Sequence, residues 1–170
     1  GGGAQPEISD WLYTFDTSND LDHVAAVVYD PDTESTYAVG TIDGFATFPD
    51  EGTVGVQGQT TGWLAKLDQE VNLAWLRQFP ATPAGTIDDP MSEVLGIALL
   101  PEGQVVIVGA YKGQVNHGGV AFPESNGVDA FILIASATND VVDDLWHSGT
   151  GEAKLRAVAY HADSDHIFAG

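Results

Sequence analysis

One internal repeat governs what this chain of 170 residues can fold into. Gly62-Trp63-Leu64-Ala65-Lys66-Leu67-Asp68, running on to Trp75, has a counterpart in Asp129-Ala130-Phe131-Ile132-Leu133-Ile134, running on to Trp146. Upstream, Val24 to Tyr29 leads to Tyr37-Ala38-Val39-Gly40, just as Val94 to Leu99 leads to Val106-Ile107-Val108-Gly109. A third copy starts at Ala157-Val158-Ala159-Tyr160 and reaches Ile167-Phe168-Ala169-Gly170, while Trp11-Leu12-Tyr13-Thr14-Phe15 echoes Trp75-Leu76-Arg77-Gln78-Phe79. Trp11, Trp75 and Trp146 are 64 and 71 positions apart, and Gly40, Gly109 and Gly170 are 69 and 61 apart. A period of this kind marks a supersecondary unit that cannot bury its own faces and gains stability by stacking on its neighbours.

Within one unit the pattern predicts short strands at Val24 to Tyr29, Thr36 to Thr41, Trp63 to Leu67 and Leu73 to Arg77. Asp30-Pro31-Asp32 and Pro101-Glu102-Gly103 supply turn chemistry at matching places between the first and second strands. Two longer excursions, Ile42 to Thr61 and Tyr111 to Val128, each follow a Gly-x-x-x-Gly spacing, Gly40 to Gly44 and Gly109 to Gly113. Their length exceeds that of ordinary hairpin loops, so they are expected to pack on the unit or to carry contacts.

Composition agrees with packed strands joined by tight turns: 44% hydrophobic and 18% charged residues, with 20 Gly and 8 Pro. Five Lys and Arg against 25 Asp and Glu give a formal charge of -20, a field that repels phosphate backbones and argues against nucleic acid as a partner. There is no cysteine, which removes disulfides, thiolate zinc sites and cysteine nucleophiles together. No apolar run approaches the roughly 20 residues of a membrane-spanning helix, so membrane insertion is not expected.

The string Gly62 to Asp68, with Asn72-Leu73-Ala74-Trp75-Leu76-Arg77-Gln78-Phe79 and the Tyr37 to Gly40 and Val106 to Gly109 segments, resembles the bacterial seven-bladed β-propeller repeat of cell-surface proteins. Val71 stands where that family has a turn glycine before Asn72, and Asp143-Asp144 stand where an apolar residue is usual. A weaker resemblance links Ala65-Lys66-Leu67-Asp68 followed by Trp75 to the tryptophan docking motif of quinoprotein propellers. The first resemblance implies an all-β chain of β-propeller blades, each of four antiparallel strands, with about two complete blades plus flanking strands of a larger propeller. Residues 1–170 then belong to one domain: 1–21 the last strand of a preceding blade with its connection, 22–79 a blade, 80–92 a connection, 93–148 a blade and 149–170 the start of the next. Trp11, Trp75 and Trp146, with Gly40, Gly109 and Gly170, are expected to be structural residues of blade packing. The family also implies an extracellular or cell-surface binding module and names no catalytic residues.

Candidate sites are sparse. Asp30, Asp32 and Glu34 form the oxygen-rich loop best suited to Ca²⁺, although the sequence lacks the spacing of an EF-hand and solvated acidic turns are the stronger reading. Other than Ca²⁺, no cofactor is expected. His161 and His166, with Asp163 and Asp165 between them, read as an exposed turn before they read as a metal site. Phe45, Phe48, Tyr111 and Phe122 are the aromatics that could stack on a glycan or plug a partner surface, with local packing of each segment as the preferred alternative. The sequence contains no Gly-x-Ser-x-Gly, His-Glu-x-x-His or Gly-x-x-x-x-Gly-Lys motif. The leading expectation is a noncatalytic extracellular module that binds protein or glycan and meets further blades of the same chain or associates with itself. A propeller hydrolase, lyase or quinoprotein whose active site lies in other blades, and a subunit of an extracellular fibre or sheath, are the alternatives.

Overall fold

The computed structural model describes residues 16–17, 22–48, 52–83, 85, 87–117, 120–147 and 151–170. These residues form an all-β structure of antiparallel strands. The first sheet takes β1 (Asp16–Thr17), β2 (His23–Asp30), β3 (Ser35–Phe48), β4 (Gly52–Leu67) and β5 (Leu73–Phe79). The strands β2, β3, β4 and β5 follow one another as a meander, and β1 pairs with the far end of β3. The second sheet takes β6 (Ala81–Thr82), β7 (Met91–Leu99), β8 (Val105–His117), β9 (Val120–Ala121), β10 (Ser125–Ala135) and β11 (Val141–His147), with β7, β8, β10 and β11 as its meander. A hairpin of β12 (Val158–His161) and β13 (His166–Ala169) follows.

The repeat in the sequence is a repeat in register. Gly40 pairs with Val24 on one side and Trp63 on the other, as Gly109 pairs with Val94 and Phe131. The first strand of each meander, β2 and β7, carries a bulge at the same place, between Val24 and Ala26 and between Val94 and Gly96. The third and fourth strands also match, with a register shift between Lys66 and Leu67 and another between Ile134 and Ala135. Even the short additions agree: Thr17 lies on Ala46 of β3 as Ala81 lies on Val115 of β8.

The same small residue recurs at Gly40 and Gly109 because nothing larger fits. A Cβ at Gly40 would overlap the His23 carbonyl oxygen and press on the Trp63 ring at 2.7 Å. A Cβ at Gly109 would overlap the Glu93 carbonyl oxygen and press on the Phe131 ring at 2.8 Å.

The turns also repeat. Asp68 accepts from Glu70 N at 3.0 Å and Asn72 N at 2.8 Å, while its own N donates to Asn72 O and its O accepts from Val71 N. Ser136 does the same for Thr138, Asn139 and Asp140 in the second sheet, its hydroxyl replacing the carboxylate. This turn needs one residue at positive φ, and Val71 (φ 66°) and Asn139 (φ 74°) fill that position.

The long excursions expected as loops are strand instead. β3 runs on to Phe48 and β4 starts at Gly52, so the Ile42 to Thr61 stretch is largely an arm of paired strands. Asp43 pairs with Thr60 but Phe45 with Gly55, and this slip, with Gly44 at φ 90° opposite, bends the arm back over its own sheet. Phe48 thereby meets Trp63 edge-on, ring centroids 5.5 Å apart. The second sheet slips at the matching place, from Tyr111 with Asp129 to Gly113 with Ser125, and Gly113 again has φ 90°.

The two sheets face each other across the main core. Tyr37, Val39, Leu64 and Phe79 of the first sheet share a buried cluster with Val94, Ile107, Phe131 and Leu133 of the second. Each such side chain withdrawn from water contributes about 1.5–3 kcal/mol, so apolar contact is the main force holding the sheets together. Polar latches fix their alignment. The buried Ser92 hydroxyl on β7 accepts from Gly62 N at 2.9 Å and donates to the Phe79 carbonyl, gripping β4 and β5 at once. Tyr37 OH donates to Gly103 O at 3.0 Å and Trp75 Nε1 donates to Ala137 O at 3.2 Å. The hairpin continues the stack: β12 packs on β7 and β8, and Lys154 leading into it pairs with Glu93 at 2.6 Å. Among the described residues, no helix is long and apolar enough to cross a membrane.

Candidate functional site

A groove of about 790 Å³ lies on the face of the first sheet that the second sheet does not cover. Its wall comes from β2, where Val24, Val27 and Tyr29 are 48%, 61% and 56% exposed. Its floor comes from Ala38, Trp63, Ala65 and Leu67 on β3 and β4, closed at one end by Phe48. Glu34, Asp68 and Glu70 stand on the rim. The site is therefore an apolar trough with an acidic edge, suited to another apolar surface and not to an anion.

Register gives this groove a precise counterpart. Val24, Val27 and Tyr29 occupy the positions of Val94, Ile97 and Leu99 in the second sheet, and Ala38, Trp63 and Ala65 those of Ile107, Phe131 and Leu133. All six counterparts belong to the core covered by the first sheet, Leu99 as a partly buried member. The groove is thus the surface that, one unit further along the chain, is already an interface. Sequence reasoning missed it because His23-Val24-Ala25-Ala26-Val27-Val28-Tyr29 is an almost unbroken apolar run with a bulge in it. Strands that pack on both faces read this way, and the pattern does not say which face is left open.

The aromatics singled out from sequence part company. Phe48, Tyr111 and Phe122 are buried, and Tyr111, Phe122 and Phe131 stack among themselves with centroids 5.2 to 6.4 Å apart. These rings pack into the core because the arms carrying them curl inward, and Phe48 among them also lines the end of the groove. Phe45, on the outer side of the first arm, is 39% exposed.

The Asp30, Asp32 and Glu34 loop is organised as a turn. Asp30 is buried, its Oδ1 accepting from Asp32 N at 3.0 Å and its Oδ2 from Thr33 Oγ1 at 2.6 Å, with Glu34 at φ 50°. Around the other acidic turn, Tyr160 OH donates to Asp165 at 2.9 Å and His161 Nδ1 lies 3.0 Å from Ser164 Oγ. Among the described residues, no group of three or more His, Cys, Asp or Glu side chains gathers as metal ligands would.

Trp75 spans the sheets as described, with its ring 6.0 Å from that of Tyr37. Trp146 is not at the equivalent position: it pairs with Phe131, whereas Trp75 pairs with Lys66, whose counterpart Ile134 faces Asp143. Trp11 lies outside the described residues. Gly170 exchanges hydrogen bonds with Ala157 as Val39 pairs with Ala26, so it sits one register position before those of Gly40 and Gly109.

Burial perturbs three groups near these contacts. Desolvation pushes the phenols of Tyr37 and Tyr111 up to about 12, with Asp30 and Asp129 adding to the effect. Desolvation lowers the Arg77 guanidinium, which Asp140 partly offsets. Comparison with known proteins finds no matching family model and no matching curated relative.

Proposed function

We propose that this chain is a run of β-propeller blades serving as a noncatalytic interaction module of a secreted or surface-displayed protein, with protein or glycan as its ligand. The observation that carries the reading is the register match between the open groove on the first sheet and the covered face of the second. One stacking rule joins the first sheet to the second and the second to the β12–β13 hairpin, and radial repetition of four-stranded meanders needs such a rule. The resemblance of Gly62 to Phe79 to the bacterial surface repeat supports the same class. Phe45, 39% exposed on the first arm, supports this reading as the aromatic that would meet a ligand.

The test is titration of the chain against surface polysaccharides and secreted proteins from its own source. Saturable binding that Phe45→Ala weakens, at unchanged melting temperature, is the expected result. No saturable binding to either class of ligand would remove the interaction role.

A further inference from the structure

We propose that Asn126 is a site of spontaneous covalent modification, where the side-chain amide is lost and an aspartyl or isoaspartyl residue takes its place. The step needs no partner beyond solvent water, and it is independent of the role proposed above.

The sequence supplies the reacting pair. Asn126 precedes Gly127, whereas Asn19, Asn72, Asn116 and Asn139 precede Asp, Leu, His and Asp. An asparagine loses its amide when the backbone nitrogen of the next residue, deprotonated, attacks the side-chain Cγ. Glycine at that position has no Cβ to shield the nitrogen, and it lets the backbone bend as the attack requires.

The fold leaves this pair free to react. Ser125 and Asp129 are buried and held in the ladder opposite Gly113 and Tyr111. Between them the register slips, so Asn126, Gly127 and Val128 have no partner residue on β8, and Asn126 and Gly127 are exposed. Asn72 and Asn139 are placed differently. The Asn72 Nδ2 donates to Asp68 Oδ2 at 3.2 Å within its turn, and Asn139 sits at φ 74° with a buried Oδ1.

The bond between Gly127 N and Asn126 Cγ forms as the bond from Cγ to Nδ2 breaks. Ammonia leaves with the proton that Gly127 N gave up, and a succinimide ring remains. Water then opens the ring. Attack at Cγ gives aspartate, and attack at the main-chain carbonyl gives isoaspartate, whose backbone runs through the former side chain and is one carbon longer.

Either product places a new carboxylate beside an existing one. Asn126 Oδ1 and Glu124 Oε1 both lie within 4.0 Å of the point where a Cβ of Gly85 would stand. The isoaspartyl form also lengthens β10 inside the slip that turns the second arm. With age, therefore, the arm gains negative charge and changes its geometry.

Peptide mapping by mass spectrometry on the folded chain, held at neutral and at mildly alkaline pH, tests the proposal. The expected result is conversion of Asn126 ahead of every other asparagine, faster at the higher pH, with aspartate and isoaspartate both formed. Gly127 is not at positive φ, and the nearest atom to its Cβ would be 4.0 Å away, so Gly127→Ala fits the fold and should slow conversion several-fold. Asn126 left intact while other asparagines convert, an aspartyl product alone, or conversion of Gly127→Ala as fast as the parent would each overturn the proposal. The purified isoaspartyl form should melt below Asn126→Asp, which carries the charge without the longer backbone. Equal melting temperatures would overturn the change in arm geometry.

Discussion

Trp75 and Ala137 are tied across two sheets: the indole Nε1 on β5 donates to the Ala137 carbonyl at 3.2 Å, where Lys66 Nζ also points at 3.5 Å. The contact joins the last strand of one meander to the last turn of the next. Its place in the second sheet is taken by Asp143, so the two meanders are alike in backbone and different in this lock.

Trp75→Phe keeps most of the ring packing and removes the donor. It should cost about 1 kcal/mol, the usual net value of one hydrogen bond, because Lys66 can still serve the carbonyl. Urea unfolding should show a lower midpoint at unchanged slope. An unchanged midpoint would mean that the bond contributes nothing to the stacking of the sheets.

Val71 at φ 66° is a β-branched residue in a conformation that suits glycine or asparagine. Asn139 holds the equivalent turn position, so Val71→Asn copies a solution the chain already uses. The substitution should stabilise by about 1 kcal/mol, raising the melting temperature by roughly 2–4 °C for a chain of this size. A lower melting temperature would mean that Val71 packs in a way that outweighs its backbone strain.

Gly40→Ala and Gly109→Ala should each cost about 3 kcal/mol or more, because the new methyl meets a backbone carbonyl that cannot move without breaking the ladder. Gly127→Ala is the control, since the nearest atom to its Cβ lies 4.0 Å away. Equal melting temperatures for Gly40→Ala and Gly127→Ala would contradict the close approach of β2, β3 and Trp63.

Tyr37 and Tyr111 carry phenols raised from 10.0 to about 12 by burial. The folded state holds these protons more tightly than the unfolded chain does, so their contribution is complete below pH 10 and is lost as pH rises toward 12. Tyr111 OH has no hydrogen-bond partner among the described residues, so Tyr111→Phe should be neutral or stabilising at pH 7 and should flatten the alkaline fall. Guanidinium unfolding at a series of alkaline pH values reads both effects. An unaltered alkaline limb in Tyr111→Phe would mean that its phenol ionises as freely as in the unfolded state.

Much of this fold is legible in the residues, for identifiable reasons. Gly40 and Gly109 stand out because a steric requirement recurs, and the turns at Asp30 to Glu34 and Asp68 to Asn72 stand out because their side chains cap their own backbones. The arms are harder to read. Gly44, Gly55 and Gly58 and the slip between Asp43 and Phe45 break the alternation that marks a strand, so paired backbone looks like a loop. The same slip decides that Phe48 turns inward and Phe45 outward, which spacing alone does not reveal. Trp146 matches Trp75 in residue type but lies three register positions away, because self-comparison aligns residue types and not hydrogen bonds.

We propose that successive units stack by one rule around an axis. Pro31, Pro101 and Ala162 occupy equivalent exposed turn positions, and a chain without cysteine allows clean pairwise spin labelling there. Pulsed electron paramagnetic resonance should give equal distances for 31–101 and 101–162, and a 31–162 distance clearly shorter than their sum. Unequal steps, or a 31–162 distance equal to that sum, would contradict the account.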